Sequence, residues 1–136
     1  MGNNGGDGLA VARQLIQRGY MHVTTYVVRH SPKGSPDFLK NEERLVNESS
    51  VHYIETEFQL PSIGPNDKII DAILGSGLSR PVEGLAAAVI TAINKSGADT
   101  YSIDVPSGMF CDMPNVADDV VIHAKKVYTF HAPKLT

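Results

Sequence analysis

Two aspartates are placed to do chemistry. Asp71 interrupts the run KIIDAIL over residues 68–74, and Asp104 closes the run TYSID, three residues before Ser107. An ionised carboxylate among apolar strand residues is unfavourable unless it is hydrogen-bonded, ion-paired or on a metal. Asp71 therefore belongs either to a site or to a structural ion pair or helix cap. Its position near the exit of its strand, beside the loops, favours a site. Asp104 reads equally as a general acid or base and as an acceptor for backbone amides of the turn that follows. Partial burial beside another acid raises a carboxylate's pKa toward the range where it can exchange protons at neutral pH.

Asn4, Asp71 and Ser107 offer three oxygen donors from three separate segments, a set that suits a hard cation. Spacing does not name the ion, and a hydrogen-bond network without an ion explains the same residues. His22, His30, His52, His123 and His131 show no paired metal-ligand spacing and read as structural or solvent-facing. Ser107 lacks a nucleophile-elbow context and a histidine partner, which argues against a hydrolase triad. Nothing near Cys111 marks an activated thiol. Lys134 is positioned to reach an anion from a strand end, but reads first as a surface lysine.

The residues that must hold these groups begin with Met1-Gly2-Asn3-Asn4-Gly5-Gly6-Asp7-Gly8, which runs directly into a helical pattern. Glycine permits close approach of the main chain, and unpaired amides at a helix start accept an anion such as phosphate. The segment matches neither G-x-G-x-x-G nor the P-loop pattern. Leu9, Ala12, Leu15 and Ile16 form the apolar face of the helix that follows, and Gly19 stops it. Residues 22–28 and 51–56 read as strands, with a capped helix from Ser35-Pro36-Asp37 to about Asn47 between them. Residues 68–74 read as a buried strand. Ser79-Arg80-Pro81 opens a helix lined by Val82, Leu85, Ala86, Val89, Ile90 and Ile93 and ended by Gly97. Strands at 100–105 and 127–130 complete the pattern, with 109–124 as a loop.

Alternating strands and helices imply parallel strands with ligand sites at their carboxyl ends. Gly2–Gly8, Gly75–Pro81 and Pro106–Gly108 all fall there and should meet in one crevice. The chain opens inside a strand-to-helix connection, so a doubly wound sheet would need a further strand ending near Gly2. It reads as one α/β domain, incomplete at both ends.

Composition narrows the partners. The 136 residues fit one domain, and the formal charge of −3 gives no reason to expect nucleic acid or an anionic membrane. A single cysteine excludes an internal disulfide and suits a reducing, cytoplasmic setting. There is no apolar run of membrane-spanning length and no signal peptide.

Together, GNNGGDGL at 2–9, DAILGSGLSRP at 71–81, SIDVPSG at 102–108 and TFHAPK at 129–134 resemble the NAD(P)H-hydrate epimerases, the YjeF N-terminal domain. The resemblance covers essentially the whole chain. It implies a Rossmann-like three-layer αβα sandwich with a mainly parallel sheet. It also implies an isomerase that interconverts the R and S forms of hydrated NADH and NADPH (NADHX and NADPHX). By the same resemblance, Asn3, Asn4, Gly5, Gly6 and Asp7, with Gly75, Ser76, Gly77, Leu78, Ser79, Arg80 and Pro81, hold the dinucleotide. Asp104 contacts it, which with its strand-end position makes it the expected catalytic acid and base, and Asn4, Asp71 and Ser107 bind one potassium ion per subunit. A homodimer working with an NAD(P)H-hydrate dehydratase is implied too.

The sequence departs from the family in three ways. The strand and first glycine of the usual G-x-G-N-N-G-G-D-G are missing, as are the helices upstream and the elements after H-x-P-K. No glycine follows Gly108. Members of this fold also serve as non-catalytic binding modules, among them scaffolds in mRNA-decapping proteins. The intact ligand positions favour the enzyme.

Overall fold

In the computed structural model, which describes residues 1–130, the chain is already helical at Asn3. The glycine-rich stretch is thus the first two turns of helix α1 (Asn3–Gln17) rather than a loop before it. Glycine inside a helix costs about 1 kcal/mol relative to alanine, and the packing explains its presence. A Cβ at Gly8 would stand 2.6 Å from the Cβ of Ala72, and one at Gly6 would stand 3.2 Å from the backbone of Phe38. None of these glycines has a positive φ. They are there for close approach, not for unusual torsions.

The remaining elements follow as β1 (Thr25–Val28), α2 (Pro36–Val46), β2 (Val51–Ile54), a short 3-10 turn (Glu57–Gln59), β3 (Lys68–Asp71), α3 (Gly84–Ser96), β4 (Asp99–Ile103) and β5 (Lys126–Tyr128). Helix α2 starts as its sequence predicts: Phe38 N donates to Ser35 Oγ at 3.2 Å, Pro36 occupies the first turn, and Asp37 lies at the positive end. Helix α3 starts later than expected. Ser79, Arg80 and Pro81 are exposed loop residues, and the helix begins only where Leu85, Ala86, Val89, Ile90 and Ile93 can turn a continuous apolar stripe inward. Gly97 ends it in the left-handed conformation, as predicted. Both β1 and β3 are shorter than their apolar runs, and β3 stops at Asp71. Within β3, Ile70 is 44% exposed, so this strand is half-buried rather than buried.

Every strand pair is parallel: β1 with β2, β3 with β4, and β4 with β5. The expected single sheet is divided into a two-stranded and a three-stranded ladder. Among the described residues no strand pairs between β1 and β3, so the hydrogen-bonded ladder breaks there. The layers are nonetheless those of a Rossmann-like α/β fold. Adjacent residues of β1 face opposite ways, as the pleat requires. Val27 packs with Leu9, Phe38 and Leu45 of α1 and α2, and Val28 packs with Val89, Ile90 and Ile93 of α3. Helices therefore cover both faces. Among the described residues no helix is long and apolar enough to cross a membrane. The readings of His131 and Lys134, and the end of TFHAPK, lie outside the described residues.

The segment after β4 is held by one glycine. Gly108 has φ +95°, and a Cβ there would meet the carbonyl oxygen of Val120 at 2.0 Å. Left-handed strain and overpacking together predict that Gly108→Ala destabilises the fold by on the order of 3 kcal/mol. Gly77, which has no atom within 4 Å of its would-be Cβ, serves as the control. Thermal unfolding should show a clear drop for Gly108→Ala and almost none for Gly77→Ala. Equal melting temperatures would refute the packing argument.

Candidate functional site

Register brings the first side chains together. Asp71, the last residue of β3, lies opposite Ser102 of β4, and Ser102 Oγ donates to Asp71 Oδ2 at 2.7 Å. Beyond β4 the chain turns back at Pro106, so that Ser107 N donates to the same oxygen at 2.9 Å and Ser107 Oγ to Oδ1 at 2.5 Å. Ile73 N adds a longer bond to Oδ1 at 3.3 Å. Asp71 is 1% exposed and, among the described residues, forms no ion pair. Its charge is held by hydrogen bonds alone, which is the way a buried carboxylate without a counter-charge is satisfied.

That network reaches the glycine-rich helix through one backbone group. Leu74 N donates to Ser107 Oγ at 2.9 Å, and Leu74 O accepts from Asn4 Nδ2 at 2.8 Å. The single hydroxyl proton of Ser107 goes to Asp71, so the approach of its Oγ to Leu74 O at 3.3 Å is a contact between two acceptors. Asn4 is 8% exposed, and its Oδ1 has no hydrogen-bond partner among the described residues. Of the oxygens of Asn4, Leu74 and Ser107 that are linked here, only Asn4 Oδ1 lacks a donor among the described residues. No group of three His, Cys, Asp or Glu able to hold a metal occurs among the described residues.

Above this floor is a cleft of about 540 Å³, within the range of small-molecule sites. Asn3, Asn4 and Asp7 of α1 form one wall, and the loop from Ile73 to Leu78 forms another. His30, Ser35 and Asp104 complete it. The first amides of α1 have no intrahelical partner, and Gly2 at the cap supplies no side chain to them. Asp104 follows β4 with φ +65°, the only non-glycine residue of positive φ among the described residues. Its amide donates to Tyr128 O at 2.8 Å, and Oδ1 lies 3.4 Å from both Thr129 Oγ1 and Phe130 N. The local turn that places Asp104 is therefore tied to the end of β5.

Two other groups respond electrostatically to this cleft. Asp7 is held above the ordinary carboxylate range, first by partial desolvation and then by the nearby charges of Asp104 and Asp37. His30 is held below the usual imidazole range by burial and by the adjacent α-amino group of Met1, whose nitrogen is 2.9 Å from Nε2.

The three predicted segments meet as the sequence indicated, and Asn4, Asp71, Asp104 and Ser107 lie at one end of the sheet. Within the expected dinucleotide set the distribution is uneven. Asn3, Asn4, Asp7 and Gly75 to Leu78 line the cleft, Gly5 and Gly6 pack on Phe38, and Ser79, Arg80 and Pro81 are exposed beyond the lining. Asp71 lies beneath the cleft, where it orients Ser107. His30 is the residue that sequence reasoning passed over. The one available signal was its position directly after a strand, at a carboxyl end. His22, His52 and His123 are solvent-facing as read, and Cys111 is half-buried.

Several known proteins are similar to this chain in sequence. An NAD(P)H-hydrate epimerase of Levilactobacillus brevis is 40% identical over 89% of this chain and 54% of its own length. One from Lentilactobacillus buchneri is 37% identical over 98% of this chain and 60% of its own length. A bifunctional NAD(P)H-hydrate repair enzyme of Thermofilum pendens is 37% identical over 98% of this chain, which spans 26% of that protein. The chain thus spans about a quarter to three-fifths of these curated relatives. Matched from residue 1 to residue 136, it belongs to the family of the YjeF-related protein N-terminus.

Proposed function

We propose that this chain carries the catalytic cleft of an NAD(P)H-hydrate epimerase, inverting C6 of the hydrated nicotinamide ring of NADHX or NADPHX. The observation that carries the reading is the convergence of Asp104, Asp7 and the open amides of α1 on one cleft, above the oxygen cluster of Asn4, Leu74 and Ser107. Helix N-termini bind phosphate, so the pyrophosphate is assigned to the start of α1 and the ring to the Asp104 side.

Asp104 gives a proton to the C6 hydroxyl as the C–O bond breaks, while the ring nitrogen's lone pair forms an iminium-like cation; a ring-opened form is the alternative intermediate. Water adds to the opposite face, and the carboxylate takes its proton back. Atoms and charge balance, and the enzyme ends as it began. Asp7 stands beside Asp104, and desolvation together with the charges of Asp104 and Asp37 holds its carboxyl above the ordinary range. Proton exchange of this kind is worth on the order of 10²–10⁴-fold.

The unpartnered Asn4 Oδ1 fits a cation. Potassium is the ion that the family resemblance implies, and Asn4, Asp71 and Ser107 would hold it, with Leu74 O beside Asn4 and Ser107. When bound, it would supply a fixed positive charge at the cleft floor. Cytoplasmic location and a homodimer remain parts of the same proposal. A dehydratase acting on the same hydrate is supported by relatives named as bifunctional repair enzymes in Thermofilum pendens and Coxiella burnetii.

Chromatography of a single pure NADPHX epimer, with and without potassium, tests the function. The other epimer should form faster than it does spontaneously, faster still with potassium, and about 10²-fold or more slowly with Asp104→Asn. Asp104→Asn turning over at the normal rate would remove its assigned role, and no acceleration by the native chain would leave a non-catalytic binding module.

Asp7 gives a second prediction with a definite sign. Its folded pKa lies above the 3.8 of the unfolded chain, so the protonated form is the one that folding favours. That contribution is complete below 3.8 and is lost as pH rises through the folded value. Asp7→Asn, neutral throughout, should melt slightly higher than the native chain at pH 7, and the gap should close on acidification toward pH 3.8. A gap that widens on acidification would contradict the sign.

A further inference from the structure

Building on the epimerase reading, we infer that the loop after β1, with Arg29 as its anchor, selects the hydrate whose adenosine ribose carries a 2′-phosphate, NADPHX over NADHX. A second recess of about 410 Å³ adjoins the main cleft, and His30 lines both. Arg29, Ser31, Pro32 and Glu55 line the rest of it. It opens at the carboxyl end of β1, the strand that follows the glycine-rich helix.

In open α/β sheets that bind dinucleotides, this strand end receives the adenosine ribose. An acid there takes the ribose hydroxyls, and an arginine there accommodates a 2′-phosphate. The residue that leaves β1 in this chain is Arg29, about twenty positions beyond the glycine-rich segment. Ser31 and Lys33 follow it on the same loop.

Arg29 is fixed before any ligand arrives. Its amide donates to Ile54 O at 2.8 Å, Nη2 to Glu42 Oε1 at 3.0 Å, and its guanidinium carbon sits 4.5 Å over the ring of Tyr53. The side chain keeps 30% exposure. Glu42 takes one of the five N–H donors that a guanidinium carries, and a planar fork already held in place matches phosphate oxygens well. Ser31 Oγ donates to Lys33 O at 3.1 Å, folding the loop back on itself. Glu55 is the opposing charge. It follows β2, one strand further out, and is exposed. A phosphate in this recess must therefore prevail over Glu55 through Arg29, which makes Glu55 a useful probe.

The test compares NADP+ with NAD+ by calorimetric titration of the full chain, alongside kcat/KM for the two hydrates. The native chain should favour the phosphorylated member by about tenfold or more, with the preference shrinking as salt is raised. Arg29→Met should bring the ratio of the two affinities close to one, Lys33→Glu should lower it, and Glu55→Gln should raise it. Lys33 and Glu55 are exposed, so these two variants keep the test valid if Arg29→Met melts early. Equal affinity for both cofactors in the native chain, with both hydrates epimerised, would overturn this inference and leave the epimerase standing. Variants that weaken both cofactors in proportion would assign Arg29 a structural role and also overturn it. Failure to bind either cofactor or to convert either hydrate would remove both readings together.

Discussion

A single desolvated carboxylate organises the functional end of this molecule. Asp71 has no counter-charge among the described residues, so the protein must supply its hydrogen bonds, and it draws them from β4, from the Pro106–Gly108 turn and from the loop after β3. Leaving a buried charge without such partners would destabilise the fold by several kcal/mol. The ends of β3 and β4, joined by bonds that span 31 to 36 residues of sequence, are therefore fixed relative to each other before any ligand is present. The bonds also define Ser107 as a donor to Asp71, which leaves its oxygen to accept from Leu74 N.

Packing adds the fourth part. The glycines of α1 let its backbone lie against Ala72 and Phe38, and that closeness puts Asn4 within reach of Leu74 O. The same approach aims the open end of α1 into the cleft. Side chains larger than hydrogen at Gly6 and Gly8 would lift the helix away, and the amides and the Asn4 oxygen would move with it. Glycine here serves position and only indirectly ligand access.

Charge in the cleft is divided in a way that suits a dinucleotide. Asp7 and Asp104 place two carboxylates in the main cleft, the helix terminus offers unpaired N–H groups, and Arg29 stands beyond His30 in the adjoining recess. An acidic chain can hold an anionic ligand in this way because local donors outweigh net charge at contact distances, where screening by solvent is weakest.

The sequence by itself determined a great deal. Periodicity gave the alternation of helices and strands, the Ser35 and Gly97 boundaries were legible from capping chemistry, and the strand-end positions of Asp71 and Asp104 marked the end of the sheet that carries the site. The family motifs were also legible, because they combine residue types that only close backbone approach and oxygen-donor chemistry demand together. Other features were set by contacts between distant segments. The glycine stretch became helix because Phe38 and Ala72 press on it. The start of α3 moved to Gly84 because exposed Ser79-Arg80-Pro81 has no core to face. The ladder divided between β1 and β3 because pairing needs a neighbour that local sequence does not supply. His30 became a cleft residue, and Arg29 a residue of the adjoining recess, because the end of β1 opens beside α1. Local propensity decides what a segment can be; which oxygen lacks a donor and which acid feels another is decided only when the chain folds, since desolvation and Coulomb interaction depend on distance in space.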